Sequence, residues 1–428
     1  MATATSQESI KTQSYIAREH KYGAHNYHPV PVVIERGEGV FVWDVDGKKY
    51  FDFLSAYSAV NQGHCHPLII KAMTDQAQKL TLTSRAFHNN LLGECEEFMC
   101  KLFGFDKVLM MNSGVEAVET AMKLARKWAY KVKGIEKDKA KLLFAVNNFH
   151  GRTLSVVSAS SDTAARQGFG PFMSGIDTIP FNDLIALETA FQLEPAYAAF
   201  IVEPIQGEAG VVVPDENYLS EVARLCRKYN VLFVADEIQT GIARTGRLLA
   251  TCGDCTCNSG QCNQKSETKP DILILGKALS GGVMPVSAVL ANDEIMLTIN
   301  PGEHGSTFGG NPLACAVAME ALKVVIHEGL AENSNKMGRL FRAGLEKIAA
   351  KNRLVTIVRG KGLLNAIVID SEEDSYLAWD ICIEFKDNGL LAKPTHGNKI
   401  RLAPPLIINE EQIMEALKII EKSLMAFL

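Results

Sequence analysis

The sequence predicts an α/β protein, with a large domain built on a mostly parallel sheet and a smaller α+β domain beside it. Two observations indicate this fold class. Between about residues 105 and 310, short apolar runs alternate with amphipathic stretches, which is typical of parallel strands buried beneath helices. After about residue 315 the pattern becomes helical, passes through short strand candidates and ends in an amphipathic helix.

The individual elements follow from local signals. Residues 1–20 are polar and are expected to be loosely ordered, whereas residues 40–53 alternate around Asp46-Gly47 and predict a hairpin. A helix is expected after Ser113, because apolar residues recur at helical spacing from Val115 onward. Short apolar runs predict strands at 141–146, 198–202, 231–235, 272–275 and 286–290. Later helices are expected at 316–328, 334–350 and 410–428, and later strands at 355–359, 364–369 and 399–402.

The shifts in pattern also predict domain boundaries. Residues 1–55 form an N-terminal segment that contributes to the small domain, residues 56–315 the large domain, and residues 316–428 the small domain. A chain of 428 residues is long enough for about two to four domains.

Composition narrows the function classes. Lysine and arginine number 44 against 49 aspartates and glutamates, a net charge of −5 that gives no general affinity for nucleic acid or an anionic membrane. No run approaches the roughly 18 apolar residues of a membrane span. The polar start contains Glu8 and no early arginine, so it is a poor mitochondrial presequence. We therefore expect a cytoplasmic protein, with a mitochondrial location as the alternative.

The ten cysteines fall into two groups. Six are scattered singly and are expected to be small core residues of an intracellular protein. The other four, Cys252, Cys255, Cys257 and Cys262, lie in a polar tract at 251–269. Three interpretations stay open: a zinc-binding clip, a redox switch that meets a thioredoxin-like partner, or an inert surface insertion. Outside the tract we expect no metal site, because histidines such as His64 and His66 more often satisfy turns.

Two of the predicted strands end in residues suited to chemistry. Lys277 follows the apolar run at 272–275, where burial would lower the pKa of an amine and let it form a Schiff base. Asp236 ends the run that begins at Val231, at the edge where open α/β sheets bind ligands, and could pair with a protonated ring nitrogen. Gln239 could bond a neighbouring ring oxygen.

Two further segments could complete such a site. Ser113 and Glu116 have the spacing of a capping box, and the free N–H groups of a helix start at Gly114 can bind phosphate without net positive charge. Phe149 could stack on a flat ring, and Arg152 could clamp a carboxylate. Each segment alone also fits an ordinary structural role. Together they provide what pyridoxal 5'-phosphate requires.

The motifs resemble the ω-aminotransferases of pyridoxal-phosphate fold type I over nearly the whole chain from about Tyr22. The matching motifs are Asn112-Ser-Gly, Phe149-His-Gly-Arg, Glu203-Pro-Ile-Gln-Gly-Glu, Asp236-Glu-Ile-Gln-Thr-Gly, Gly276-Lys-Ala-Leu-Ser-Gly-Gly and His304-Gly-Ser-Thr-Phe-Gly-Gly-Asn-Pro. Stretches at 22–29, 58–67, 82–87 and 401–406 are similar to the family members that act on ornithine. The resemblance implies a seven-stranded, mostly parallel sheet in the large domain.

The resemblance also implies how the cofactor is held. Lys277 would be the Schiff-base lysine, Asp236 the partner of the pyridine nitrogen, and Gln239 the residue at the ring's phenolic oxygen. The remaining cofactor positions are Ser113, Gly114 and Val115 for the phosphate, Phe149 for stacking on the ring, and Thr307, which reaches the phosphate of the neighbouring subunit. The active unit would then be a homodimer with shared active sites.

The substrate residues implied by the resemblance suit ornithine and 2-oxoglutarate. Tyr27 and Arg152 would hold the α-amino and carboxylate end of ornithine, and Tyr57 would line the pocket. Glu208 and Arg401 would form a gate that is closed on ornithine and opens so that Arg401 holds the 2-oxoglutarate carboxylate. Acetylornithine and 4-aminobutyrate are alternative amino donors, and a redox-controlled or metal-binding interaction module is the alternative of another class.

Two features depart from the family pattern. The cysteine tract lengthens the link between the strands that end at Asp236 and before Lys277. His150 stands where we expect tryptophan in the nearest relatives, and we expect it to tune the pocket without changing the reaction.

Overall fold

The computed structural model describes residues 9–252 and 267–428. Its strands are β1 Ile34–Glu38, β2 Phe41–Asp44, β3 Lys49–Asp52, β4 Lys107–Met111, β5 Lys141–Ala145, β6 Ile176–Ile179, β7 Tyr197–Val202, β8 Leu232–Asp236, β9 Ile272–Leu275, β10 Ser287–Ala291, β11 Val355–Lys361, β12 Leu364–Ile369, β13 Leu390–Leu391, β14 Lys393–Thr395 and β15 Lys399–Leu402.

The helices share polar outer faces, and most bury one apolar face. They are α1 Ile10–Tyr22, α2 Ser55–Ser58, α3 Pro67–Ala77, α4 Leu92–Phe103, α5 Gly114–Trp128, α6 Leu154–Val157, α7 Thr163–Arg166, α8 Leu184–Leu193, α9 Tyr218–Lys228, α10 Asp293–Met296, α11 Pro312–His327, α12 Leu330–Ala349, α13 Leu377–Asp387 and α14 Glu410–Met425. A π-helical turn at Ala129–Lys133 extends α5, and 3-10 turns lie at Ala250–Cys252 and Lys277–Ser280.

A seven-stranded sheet forms the centre of the molecule, in the order β4-β10-β9-β8-β7-β5-β6. Only β10 runs against its neighbours β4 and β9; the pairs from β9 through β8, β7 and β5 to β6 are parallel. The predicted mostly parallel sheet, and with it the predicted fold class, is confirmed.

Helices cover both faces of this sheet, because every residue of its central strands is buried and successive side chains point to opposite sides. Phe144 and Ile201 pack with the apolar face of α5 on one side, whereas Phe200 and Phe233 pack with α8 and α9 on the other. Burying one such aromatic side chain stabilises the fold by roughly 1.5–3 kcal/mol.

Two four-stranded sheets flank the centre. The first joins β1, β2 and β3 from the start of the chain to β13 from its end, and β13 pairs with β3 in parallel. The second has the order β11-β12-β15-β14 and packs with α12 and α13. N-terminal strands therefore share a sheet with a C-terminal strand, as predicted, while the domain boundaries at residues 55 and 315 stay predictions.

One local prediction is wrong. Residues 1–20 are predicted to be loosely ordered, but α1 occupies Ile10–Tyr22, while residues 1–8 lie outside the described residues. Its N-cap Ser9 and its one buried residue, Thr12, both donate side-chain hydrogen bonds to Asp46, at 2.6 and 2.9 Å. The helix is therefore held by polar contacts to the β2–β3 turn, a signal that hydrophobic patterning does not contain. Across the described ranges, no helix combines the length and apolarity that crossing a bilayer requires.

Candidate active site

Three neighbouring parallel strands bring their carboxyl ends to one edge of the central sheet. Glu203 follows β7, Asp236 ends β8, and Lys277 lies two residues after β9. Since β8 lies between β7 and β9, these three ionisable side chains come from adjacent strand ends, where open α/β sheets bind ligands. Lys277 has φ +40°, a left-handed conformation that costs a non-glycine residue energy and is common at functional sites.

Lys277 is partly buried, and among the described residues its amine has no hydrogen-bond or ion-pair partner. Burial lowers the pKa of Lys277. The charge of Arg401 lowers it further, whereas the charges of Glu208 and Asp236 oppose this shift. An amine with a lowered pKa is more often neutral and therefore more nucleophilic at neutral pH.

Asp236 is held in place by two hydrogen bonds. Its Oδ2 lies 2.7 Å from Nδ1 of the buried His150, and its Oδ1 accepts from the N–H of Ile238 at 3.1 Å. Burial opposes protonation of His150, but the bond to Asp236 and its charge raise the pKa of the imidazole. His150 Nε2 is buried without a partner in the described part of the chain. His150 thus places a polar ring directly on Asp236, the predicted partner of the ring nitrogen.

Glu203 is a site residue that the sequence reasoning missed. Its carboxylate accepts from the N–H of Phe149 at 3.0 Å and from the N–H of Gly207 at 3.4 Å, so it links the predicted stacking residue to the loop that carries Glu208. Burial raises the pKa of Glu203 to about 7. The signal was present in the sequence, because an acidic residue directly follows a strand of six buried apolar residues.

The buried Arg401 and the partly buried Glu208 form an ion pair, as the predicted gate requires. Arg401 Nη1 donates to Glu208 Oε1 at 2.6 Å and to Gln239 Oε1 at 3.2 Å, and Gln239 Nε2 donates to Glu208 Oε1 at 3.1 Å. Burial disfavours the carboxylate, but the charges of Arg401 and Lys277 lower the pKa of Glu208 to about 2. Arg401 Nε is buried with no acceptor among the described residues.

The start of α5 lies beside these residues. Ser113 caps the helix through a capping box with Glu116, as predicted. A Cβ on Gly114 would lie 3.0 Å from Ile238, and a Cβ on Gly151 would lie 2.6 Å from Val115. The helix start therefore contacts both the Asp236 turn and the Phe149–Arg152 segment. The N–H groups of Gly114 and Val115 lie in the first turn, where no intrahelical acceptor exists.

The predicted substrate residues lie in two groups. Tyr57 is 5.0 Å from the Arg401 guanidinium, measured from its ring centre, and it lines a cavity of about 380 Å³ together with Tyr27. Arg152 lies 5.4 Å from the Phe149 ring centre and is exposed. Thr307 is also exposed, and no side-chain hydrogen bond joins it to the other site residues in the described ranges.

Tyr57 belongs to a turn of unusual shape. Ser55, Ala56, Tyr57 and Ser58, which form α2, have φ values of 50°, 45°, 59° and 75°. Four consecutive residues without a glycine are thus wound left-handed, at roughly 1–2 kcal/mol each. Such strain persists only where surrounding contacts impose it. Here Ser55 donates to Ala403 O at 2.7 Å, two residues after Arg401.

Glu237 follows Asp236 but bonds in another direction. Its fully buried carboxylate accepts from Thr240 Oγ1 at 2.6 Å, from Ala250 N at 3.0 Å, and from both N and Oγ1 of Thr251 at 2.7 and 2.9 Å. Thr268 Oγ1 donates to Thr251 O at 2.5 Å. The two ends of the cysteine tract are thereby anchored beside β8. Cys255, Cys257 and Cys262 lie outside the described residues.

The site fits pyridoxal 5'-phosphate on three grounds. The amine of Lys277 has no protein partner in the described ranges, Asp236 supplies an anchored carboxylate for a protonated ring nitrogen, and the first turn of α5 offers free N–H groups to a phosphate. Among the residues that the structure describes, no group of three or more histidine, cysteine, aspartate or glutamate side chains could hold a metal ion.

Comparisons with known proteins agree with this chemistry. The family model of the class-III aminotransferases matches residues 22–424, and the chain belongs to that family. Members of this family depend on pyridoxal 5'-phosphate. The predicted enzyme class, a pyridoxal-phosphate-dependent aminotransferase, is confirmed.

Individual relatives are more specific. The chain is 60% identical to the mitochondrial ornithine aminotransferase of Rattus norvegicus, over 100% of this chain and 94% of the rat protein. The solved ornithine aminotransferase of Toxoplasma gondii ME49 is 46% identical with a TM-score of 0.92, covering 98% of this chain and 96% of that one. The solved acetylornithine aminotransferase of Elizabethkingia anophelis is 57% identical with a TM-score of 0.87, covering 97% and 99%. The predicted resemblance to ornithine aminotransferases is confirmed.

Proposed function

We propose that this protein transfers the δ-amino group of L-ornithine to 2-oxoglutarate, giving glutamate 5-semialdehyde and glutamate, with pyridoxal 5'-phosphate as its cofactor. The observation that carries the proposal is the buried Glu208–Arg401 pair beside Lys277. A diamine acid and a dicarboxylate must share one pocket, and an unpaired buried arginine would attract the wrong end of ornithine. A carboxylate that can leave Arg401 serves both substrates.

Each site residue has a defined task in this reaction. When bound, pyridoxal 5'-phosphate supplies an aldehyde carbon for the amine and a ring that accepts electron density. Lys277 Nζ would hold the cofactor before the substrate arrives, and the released amine would take the proton from the δ-carbon of ornithine. Asp236 would keep the proton on the ring nitrogen, and Phe149 and Gln239 would orient the ring. Ser113, Gly114 and Val115 would bind the phosphate.

The substrate residues set which amine enters. Tyr27 and Arg152 hold the α-amino and carboxylate end of ornithine, and Tyr57 borders the same cavity. Arg401 holds the 2-oxoglutarate carboxylate once Glu208 has left it, and its buried Nε supplies a donor for that carboxylate. The active unit is a homodimer, the state typical of the family, in which the exposed Thr307 binds the phosphate of the neighbouring subunit.

The first experiment is an assay of the purified protein with a panel of amino donors against 2-oxoglutarate. We expect ornithine to be preferred over acetylornithine and 4-aminobutyrate. Lys277→Ala should abolish turnover and the yellow absorbance of the bound cofactor, whereas Lys269→Ala, at a half-buried lysine in the same strand connection whose amine donates to Gly104 O, should retain both. Normal turnover by Lys277→Ala would refute the assignment.

Acetylornithine is the second candidate donor, because the Elizabethkingia protein named for it is 57% identical. Tyr27 discriminates between the two. If the hydroxyl of Tyr27 recognises the free α-amine of ornithine, Tyr27→Phe should reduce kcat/KM for ornithine by about tenfold and leave acetylornithine unchanged, since its α-nitrogen is an uncharged amide. Equal losses for both donors would favour acetylornithine.

Two further proposals concern location and the cysteine tract. The name of the rat relative supports the mitochondrial alternative over the cytoplasmic expectation, and cell fractionation tests it. The zinc clip, the redox switch with a thioredoxin-like partner and the inert insertion remain alternatives for the tract. Bound zinc, free thiols and activity with reduced thioredoxin, measured on one preparation, separate them; Cys252 is the one tract cysteine described, and it is buried.

A further inference from the structure

Arg244 is a buried arginine that none of the steps above uses. Its side chain is fully buried, and it ends the turn that leaves β8 after Asp236. Ile242 and Ala243, directly before it, have φ values of +52° and +70°. Left-handed residues of these types are strained, so the surrounding contacts must impose the shape of this turn.

The guanidinium of Arg244 joins three separate segments. Nε and Nη2 donate to Asn61 Oδ1 at 3.1 and 2.5 Å, and Nη1 donates to Leu363 O at 3.0 Å and to Pro404 O at 2.6 Å. These acceptors lie 119 to 183 residues away along the chain. The planar fork of donors therefore fixes three chain segments relative to the strand that ends at Asp236.

We call the bonds from Arg244 to the segments of Asn61, Leu363 and Pro404 the joint. Hydrogen bonds to the backbone of Arg244 add to it. Its carbonyl accepts from Leu363 N at 3.1 Å and from Ser334 Oγ at 3.0 Å. A Cβ on Gly362 would lie 2.3 Å from the carbonyl carbon of Thr245, so the β11–β12 turn presses directly on the chain after Arg244. Neither partner can shift without breaking this contact.

Two of the three segments carry predicted substrate residues. Asn61 lies four residues after Tyr57, and Pro404 lies three residues after Arg401. The same two segments are also paired by backbone bonds, from Ala403 N to Phe53 O at 2.7 Å and from Leu406 N to Asn61 O at 2.8 Å. Arg244 spans the gap between them through their Asn61 and Pro404 ends.

The charge environment of Arg244 favours a positioning role over simple stabilisation. All of its hydrogen-bond acceptors in the described structure are uncharged, and burial lowers the pKa of Arg244 to about 9. A buried cation without a carboxylate on its donors is costly, and an apolar side chain could fill the space. What an apolar side chain lacks is the directional fork that sets the distance between the two segments.

We propose that Arg244 is the positioning residue for the oxo-acid subsite: it holds the Arg401 segment at a fixed spacing from the Tyr57 segment. The proposal rests on the proposed function, in which Arg401 binds the 2-oxoglutarate carboxylate. Ornithine is held by Tyr27 and Arg152, which the joint does not contact; Tyr57, on the segment that the joint holds, borders the cavity but has no assigned bond to ornithine. Loss of the joint should therefore weaken the dicarboxylate far more than the diamine acid.

The test uses the holoenzyme and measures the two half-reactions separately by single turnover. Arg244→Lys keeps the charge but loses the fork. We expect the 2-oxoglutarate concentration for half-maximal rate to rise by about tenfold or more, because small misplacement of a binding group is costly, while the ornithine half-reaction changes by less than about twofold. Arg342→Lys is the matched control: Arg342 donates to Gly362 O at 2.7 Å on the same hairpin, and neither half-reaction should change.

A second readout does not depend on turnover. Glutarate, a dicarboxylate without the oxo group, should raise the unfolding temperature of the wild-type holoenzyme and of Arg342→Lys, and should lose most of this effect with Arg244→Lys. If ornithine is not a substrate at all, the glutarate shift still decides the role of Arg244. Equal losses in both half-reactions, or an unchanged glutarate shift, would overturn the proposal. If Arg244→Lys does not fold, Asn61→Ala removes two of the bonds and should shift the same quantities in the same direction.

Discussion

Arg401 and Glu208 are paired at 2.6 Å in a site where Arg401 is 2% exposed, and Gln239 bonds both of them. Removing the carboxylate while keeping the shape should leave the arginine charged and unpaired. We expect Glu208→Gln to lower kcat/KM for ornithine by about tenfold or more, because the free guanidinium attracts the α-carboxylate of ornithine in the wrong orientation. Steady-state kinetics with ornithine and with glutamate as donors would measure the change.

A matched control for this variant is Glu221→Gln. Glu221 pairs with Arg224 at 2.8 Å on the exposed face of α9, where an ion pair contributes little. Its donor preference should equal that of the wild type. If Glu208→Gln kept the full preference for ornithine over glutamate, Glu208 would not be a gate.

Glu203 should make the stability of the protein depend on pH in a defined direction. Its pKa is raised by burial to about 7, above the ordinary value of 4.5, so the folded state favours the protonated acid. The stability contributed by this protonation is complete below pH 4.5 and is lost as pH rises to about 7. Glu203→Gln cannot ionise, so its free energy of unfolding should not show this decrease. We expect the decrease from low to high pH to be about 3 kcal/mol larger in the wild type than in the variant. Denaturant titrations of both proteins at pH 5 and pH 8 would show it, and parallel pH profiles would contradict it.

Ala56 offers a test of the left-handed turn. It is exposed with φ +45°, so Ala56→Gly should relieve strain at little loss of contacts. After the greater flexibility of unfolded glycine is allowed for, we expect a gain of about 0.5–1 kcal/mol in the free energy of unfolding. Ala72→Gly, inside α3, should instead destabilise the protein by about 1 kcal/mol. Equal losses from both substitutions would show that α2 is not strained.

Gly338 tests the contact between α12 and the β11–β12 turn. A Cβ there would lie 1.9 Å from Gly362 O, so Gly338→Ala must push the helix away from the hairpin. We expect a loss of about 3 kcal/mol or an insoluble protein. Gly93, in α4, has nothing within 4 Å of an added Cβ, and Gly93→Ala should stabilise by roughly 0.5–1 kcal/mol. Thermal unfolding of the two variants would measure both effects, and a fully stable Gly338→Ala protein would disprove the close contact.

The sequence predicted those features whose causes are local. Strands β5, β7, β8, β9 and β10 lie within about one residue of their expected bounds, since apolar runs between amphipathic stretches define them. The Ser113–Glu116 capping box and the hairpin at Asp46-Gly47 were also predicted, because their signals lie within a few residues. Motif resemblance located the strand-end residues Lys277 and Asp236.

The features that were missed depend on distant partners. Glu203 begins one of the family motifs, but its bond to Phe149 crosses 54 residues. The residues Ser55–Ser58 do not predict a left-handed turn, because the stretch contains no glycine. Its shape depends on the distant residue Ala403. Strands β13 and β14 have only two and three residues, too few for a hydrophobic period to be read.

The consecutive carboxylates Asp236 and Glu237 have different partners. Asp236 lies in the candidate site, whereas Glu237 binds the chain connection between β8 and β9. Glu237 accepts hydrogen bonds from Ala250 and Thr251, and Thr268 donates a hydrogen bond to the carbonyl of Thr251. The ends of the connection are thus pinned independently of the residues between them, and lengthening a pinned loop adds only about 0.6 kcal/mol per doubling. A change in the length of this stretch therefore need not move Asp236.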